Sequence, residues 1–315
     1  MISLVIPTFN AENYIEQLLM TLWSQRIKPD EILAIDSSSD DNTRHIATSC
    51  GAKVISIERK DFDHGGTRNL GVKASAGDII IFLTQDALPV NEYLIENLIN
   101  PLQEKDIPLS YGRQIPKNNA SPVERFARFF NYPDTPLVKG KEHLPLLGIK
   151  TFFCSNVCLA VRRKQFEEVS GFPERVIMNE DMMLAAKLIL KGYKSAYQPT
   201  AVVSHSHSYF LVEQFKRYFD IGSSLNQNKW IFEHTKPEGE GFRFLKHQII
   251  YLLKELEWQW IPYMTLEALA KYTGYRLGLI EDKIPIKLKT YLSMHKHFWK
   301  TYDKTAKHPG KANLI

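Results

Sequence analysis

The sequence predicts an α/β fold: a mostly parallel central sheet with helices on both faces, followed by a C-terminal helical region. Three observations carry this expectation. Through its first third the chain alternates short apolar runs with segments of helical spacing. Those runs are apolar throughout rather than every second residue, as strands covered on both faces must be. Polar clusters follow the runs directly, at the carboxyl ends where open α/β sheets gather their ligands.

In chain order, Leu4-Val5-Ile6 is the first strand, and residues 13–25 follow with Ile15, Leu18, Leu19 and Leu22 at helical spacing. Residues 31–36 form the second strand and 43–50 the second helix; residues 54–57 form the third strand. Gly65-Gly66 opens a helix over 67–74, and residues 78–83 make the fourth strand. Residues 109–209 read as mixed strands and loops around one helix, 181–191. The Pro, Gly and charge content of residues 236–241 marks a loop. The expected division is a catalytic part over 1–210, with 1–108 and 109–210 as its two halves, and a helical region over 211–315.

Composition narrows the class. At 315 residues with 44% hydrophobic content, the chain can bury a full core, which excludes disordered and collagen-like proteins. A net charge of +5 without dense basic clustering argues against a nucleic-acid partner. Three cysteines, Cys50, Cys154 and Cys158, lack metal-site spacing and are expected to be reduced, buried thiols of a cytoplasmic protein. The first residues enter a strand without a basic n-region, and no apolar run approaches the roughly 20 residues of a membrane span.

Four motifs stand in order: Ile6-Pro7-Thr8-Phe9-Asn10, Ile35-Asp36-Ser37-Ser38-Ser39-Asp40-Asp41-Asn42-Thr43, Gly66-Thr67-Arg68-Asn69-Leu70-Gly71 and Asn179-Glu180-Asp181. Together they resemble the inverting family-2 glycosyltransferases with the GT-A, Rossmann-like fold. The segments Phe62 to Asn69 and Phe82 to Pro89 are similar to the bacterial rhamnosyltransferase branch, as are Lys271 to Gly278 and Leu292 to His295. The resemblance implies a nucleotide-sugar donor, dTDP-L-rhamnose, and a divalent cofactor, Mg²⁺ or Mn²⁺. It also implies a glycan acceptor, free or carried on a polyprenyl diphosphate. Thr84-Gln85-Asp86 occupies the place of the family's two-carboxylate metal motif, with Asp86 its single acid, and Ser37 stands where a second acid is usual.

The residues themselves suit that chemistry. Pro7, Thr8 and Phe9 offer backbone groups, and Asp36 and Ser37 offer acceptors to a base edge. Asp36 also reads as a strand-end turn residue, but the three converging segments favour the site. Arg68 at a helix start, with His64 before it, suits a diphosphate, or else an exposed helix face. Gln85 and Asp86 lie on the donor side, and one carboxylate with phosphate oxygens can hold a hard cation. On a continuing strand His205 and His207 face one side, as further ligands or as ordinary strand-end histidines. Asp181 is the candidate base that deprotonates the attacking hydroxyl, a role compatible with capping its helix. Glu180 and Asn156 are assigned to the acceptor side, Asn156 equally to a turn.

Two other readings are a UDP-hexose-dependent enzyme of the same fold and a nucleotide-sugar-binding module without turnover. A processive synthase is disfavoured because Gln259-Trp260 lacks a QxxRW context. In residues 242–300, apolar Phe244, Ile249, Ile250, Leu252, Leu253, Leu256 and Trp260 precede Lys283, Lys287, Lys289, Lys296 and Lys300. Such a region fits either the inner face of an anionic membrane or a docked helical cap.

Overall fold

The computed structural model describes residues 1–235 and 240–301. Its sheet is built from β1 (Ile2–Thr8), β2 (Glu31–Asp36), β3 (Lys53–Ser56), β4 (Ile79–Leu83), β5 (Leu88–Pro89), β6 (Leu109–Ile115), β7 (Leu137–Lys139), β8 (Cys158–Arg162) and β9 (Ser195–Ser204). Around it come α1 (Ile15–Trp23), α2 (Thr43–Ser49), α3 (His64–Ala74), α4 (Leu94–Ile99), α5 (Pro122–Asn131), α6 (Leu144–Leu147), α7 (Arg163–Glu168) and α8 (Glu180–Leu190). The remaining helices are α9 (Leu211–Gln227), α10 (Glu240–Lys254), α11 (Ile261–Gly278), α12 (Ile286–Leu292) and α13 (Lys296–Thr301). Lys236 to Gly239 of the expected loop lie outside the described residues.

Strand order is β3-β2-β1-β4-β8-β6-β9-β5, with β7 also on β9. The first four strands pair in parallel, as their alternation with helices predicts. Beyond β4 the sheet is mixed: β8 runs antiparallel to both β4 and β6, while β6 and β9 are parallel. The chain reaches β8 after a long excursion rather than a βαβ crossover, so nothing obliges it to run parallel.

Both sheet faces are buried, and the alternation of side chains sorts them. Leu4, Ile6, Ile32, Ala34, Ile81 and Leu83 share one core with Leu18 and Leu22 of α1 and Leu94 and Leu98 of α4. Their neighbours Val5, Leu33, Ile35, Ile80 and Phe82 share the other with Val72 of α3 and Leu184 and Leu188 of α8. Three local expectations change. Helix α3 starts at His64, so Gly65 and Gly66 lie inside its first turn, where the Asp63 cap accepts from Gly66 N at 2.6 Å. The section after β6 carries α5, α6 and α7 besides α8. Cys154 and Cys158 are buried thiols, but Cys50, at the end of α2, is only half-buried.

The chain divides into two compact units, 1–120 with 128–175 and 180–206, and 121–127 with 176–179 and 207 onward. The first contains the sheet. In the second, α9 and α11 run side by side in closest approach at glycines: a Cβ on Gly274 would lie 2.2 Å from Phe215 O, and one on Gly278 2.2 Å from Phe219 O. Helix α11 is polar inside: Glu267 is buried, accepts from Gln214 Nε2 at 2.7 Å and pairs with Lys271 at 3.2 Å. Lys289 does not join the basic surface, because it is buried against Glu281 and over the Trp299 ring. We expect Gly278→Leu to cost about 3 kcal/mol by overpacking, since backbone rather than a pliant side chain blocks the added atoms. A chemical-denaturation midpoint unchanged from the parent would contradict this packing.

Candidate active site

The loops after β1 and β2 are stitched to each other before any ligand arrives. Asn10 N donates to Ser39 Oγ at 2.9 Å, Asp40 N to Asn10 Oδ1 at 3.0 Å, and Ala11 N to Thr43 Oγ1 at 2.6 Å. Asp36, with no exposed surface, organises the second loop. Its carboxylate accepts from Ser39 Oγ at 2.5 Å, Ser39 N at 3.0 Å and Thr8 Oγ1 at 3.3 Å, and Arg44 Nε stands 3.8 Å away. Ser37 is buried beside it, its N–H donating to Thr8 O at 2.9 Å. Gln85 then clamps the first loop, accepting from Phe9 N at 2.8 Å and donating to Phe9 O at 3.0 Å. The Arg59 guanidinium lies 4.3 Å from the centre of the Phe9 ring.

Asp86 follows β4, and the two-residue strand β5 pairs with the end of β9, Leu88 opposite Ser204. That pairing brings His205, the next residue, to Asp86: Nε2 is 3.3 Å from Oδ2. One ligand atom from each of Asp86, His205 and His207 lies within 4.8 Å of the others. His205 Nδ1 is 3.0 Å from Gln114 Oε1 on β6. Gln114 Oε1 also accepts from Arg128 Nη1 at 2.5 Å, while its Nε2 donates to Tyr132 Oη at 2.6 Å and Ser155 Oγ at 2.9 Å. A guanidinium can only donate, so the amide oxygen must face it, and His205 must carry its proton on Nδ1. Nε2 is then the nitrogen turned toward the Asp86 carboxylate, where a cation would be held between them. One carboxylate and two imidazoles suit Mn²⁺, or Mg²⁺ with more water.

Asp181 lies in the first turn of α8, entered through Asn179 at φ +68°. Its Oδ2 accepts from Asn156 N at 3.0 Å and its Oδ1 from Met182 N at 2.8 Å. Glu180 is buried in an ion pair with Arg68 Nη1 at 3.2 Å and accepts from Asn156 Nδ2 at 3.1 Å. Burial first, and the Glu180 charge second, push the Asp181 carboxyl up to about 6. For Glu180 burial acts upward too, but the charges of Arg68 and His64 outweigh it and hold the group low. Two adjacent carboxyls are thus shifted in opposite directions, Glu180 downward and Asp181 upward.

Three expected roles change. Arg68 is buried and its Nη1 is shared between Glu180 and His64 O, at 2.7 Å, rather than reaching outward for a diphosphate. Asp36 is sealed by its own loop, so a base edge does not reach its carboxylate. Asn156 and Glu180 are buried against each other and hold Asp181 instead of facing an acceptor. Pro7, Thr8, Phe9, Ser37 and Gln85 gather at the ends of β1, β2 and β4, and Asp86, His205 and His207 come together; His64 begins α3, edge-on to Phe62. Gln114, Arg128, Tyr132, Ser155 and Arg59 escaped sequence reasoning. A glutamine inside the otherwise apolar-leaning β6 is the one signal that pointed to the first of them.

A family model, glycosyl transferase family 2, matches residues 3–170. Among curated proteins, O-antigen chain rhamnosyltransferase RfbN of Salmonella typhimurium is 44% identical over 301 residues, 95% of this chain and 96% of the relative. O-antigen chain rhamnosyltransferase WbaN of Salmonella anatum is 41% identical over 94% and 95%. Among solved structures, mannosyltransferase PcManGT of Pyrobaculum calidifontis, in complex with GDP-Man and Mn²⁺, superposes at a TM-score of 0.57 with 15% identity, covering 95% of this chain and 82% of that one. S. aureus TarS 1–349 in complex with UDP-GlcNAc gives 0.53 with 16% identity, covering 90% and 91%. These two likenesses establish the fold. With a family model running over more than half of the chain, and relatives above 40% identity along nearly all of it, the chain belongs to glycosyl transferase family 2.

Proposed function

We propose that the protein is an inverting rhamnosyltransferase, moving L-rhamnose from dTDP-L-rhamnose to a hydroxyl of a glycan in cell-surface polysaccharide assembly. The 44% identity with RfbN along 95% of the chain carries this reading. Residues 1–210 form the catalytic part, and the helical region begins at residue 211. The acceptor is a glycan, free or carried on a polyprenyl diphosphate.

The donor's base lies against the loops of Pro7, Thr8, Phe9 and Ser37, and its diphosphate lies over Gln85 and Asp86. Asp86 and His205, with His207 beside them, hold the cation, which when bound neutralises charge on the departing diphosphate. The acceptor oxygen bonds C1 of the sugar on the face opposite the diphosphate. Its proton passes to the Asp181 carboxylate as the C1–O bond to phosphate breaks, and the anomeric configuration inverts. A carboxyl at about 6 is a stronger base than ordinary aspartate and is still largely ionised at neutral pH.

Asp181→Asn is expected to lower kcat by about 10²–10⁴-fold while donor affinity stays within a few-fold. The base works only when deprotonated, so kcat/KM should fall as pH drops through about 6. Glu180→Gln removes the neighbouring negative charge and should move that limb to lower pH; a pH–rate series on both variants decides. Calorimetry should rank dTDP above UDP and GDP, with binding weakened by EDTA and by Asp86→Ala. A preference for GDP would overturn the donor, and indifference to EDTA the cation.

Among the described residues no helix is long and apolar enough to cross a membrane. Helix α10 nevertheless exposes Leu253 (53%), and Leu256 (79%) and Trp258 (65%) follow it, while α11 turns Leu266 and Leu269 outward. Lys246 and Lys254 are exposed on the same α10. Apolar side chains beside ammonium groups support peripheral attachment to the inner, anionic face of the cytoplasmic membrane. The protein should sediment with anionic liposomes at low salt, and Leu253→Glu with Leu256→Glu should release it. Binding to neither anionic nor neutral liposomes would leave these helices a structural cap only.

A further inference from the structure

We infer that Gln114 is a positioning residue for the cation site: its amide, oriented by Arg128, fixes the His205 tautomer so that Nε2 presents a lone pair beside Asp86. The inference rests on the cation-binding reading above. It concerns the neighbours of the candidate ligands, which no motif had singled out.

Every hydrogen-bonding position of the Gln114 amide is occupied. Its two N–H bonds go to Tyr132 Oη (2.6 Å) and Ser155 Oγ (2.9 Å), and its oxygen receives Arg128 Nη1 (2.5 Å) and meets His205 Nδ1 (3.0 Å). The side chain is 1% exposed, so water cannot substitute for a lost partner. Turning the amide over would press its NH₂ against the Arg128 guanidinium, which can only donate, whereas the Tyr132 and Ser155 hydroxyls accept either orientation. Arg128 therefore chooses the amide orientation, the amide chooses the imidazole tautomer, and the tautomer decides which nitrogen can ligate. A ligating histidine is usually held this way by a carboxylate or carbonyl behind it. Here a side-chain amide does it, and an arginine reads out its direction. Gln114 and His205 share a rigid base, since β6 and β9 pair Gln114 with Val203 and His205 N donates to Ile115 O at 3.0 Å.

Two measurements test this. In metal-free protein labelled with ¹⁵N-histidine, the His205 resonances, assigned by their loss in His205→Ala, should report a proton on Nδ1. By electron paramagnetic resonance of free Mn²⁺, Gln114→Leu should weaken Mn²⁺ binding about 10–100-fold. Gln114→Glu keeps acceptor oxygens toward both Arg128 and His205 and should bind within a few-fold of wild type. Arg128→Leu, which frees the amide to turn, should lose affinity and mix the tautomers, and it serves if Gln114→Leu fails to fold. A neutral His205 with its proton on Nε2 and none on Nδ1 in the wild type would overturn the inference. So would Mn²⁺ binding by Gln114→Leu within two-fold of wild type, or binding by Gln114→Glu as weak as by Gln114→Leu. A wild type that ignores Mn²⁺ would instead count against the cation reading, with the tautomer still decided by the nitrogen spectrum.

Discussion

The buried ion pair between Arg68 and Glu180 organises the sheet-bearing unit around Asp181. Both side chains are nearly sealed from solvent, at 6% and 7% exposure, so each would be costly alone. Together they are tolerated because further bonds complete them, from Asn156 to the carboxylate and from the guanidinium to His64 O. Removing one partner of such a pair typically costs about 3–5 kcal/mol. What the pair secures is the first turn of α8 against α3, and with it the position and basicity of Asp181. Burial first and the Glu180 charge second make Asp181 hold its proton more firmly than an ordinary aspartate does.

The turn before β8 links this base to the cation side. Ser155 Oγ accepts from Gln114, and the next residue, Asn156, holds Asp181 through its N–H and Glu180 through its amide. Adjacent residues of one backbone segment thus touch both the Gln114 network and the Asp181 carboxylate, so the two sides of the candidate site share one support.

Much of this was legible in the sequence. Leu4 to Ile6 and Ile79 to Leu83 announce buried parallel strands because both faces of each are apolar, and the polar residues at their ends collect where such sheets bind ligands. Asp86 and His205 could be joined on paper only through the family resemblance, which implies a late histidine beside the acid. Asp36 and Arg68 show where reading stops. A charged side chain carries no mark of whether it turns outward to a ligand or inward to a partner. Asp36 found its partner three residues on in Ser39, and Arg68 found Glu180 across the fold. Gln114 was hidden for a related reason: its meaning lies in four contacts from three distant segments.

The two-residue strand β5 has a consequence for how the protein comes into being. Leu88 and Pro89 fasten the Asp86 loop to β9, which is the last strand of the sheet to leave the ribosome. Contacts between such distant segments carry a loop-closure penalty and tend to form late. The loops after β1 and β2, built from nearby strands, can assemble early, whereas Asp86 must wait for β9. A nascent chain therefore passes through a stage in which those loops are organised and Asp86 has not yet met His205, and the pair forms only with the closing of the sheet.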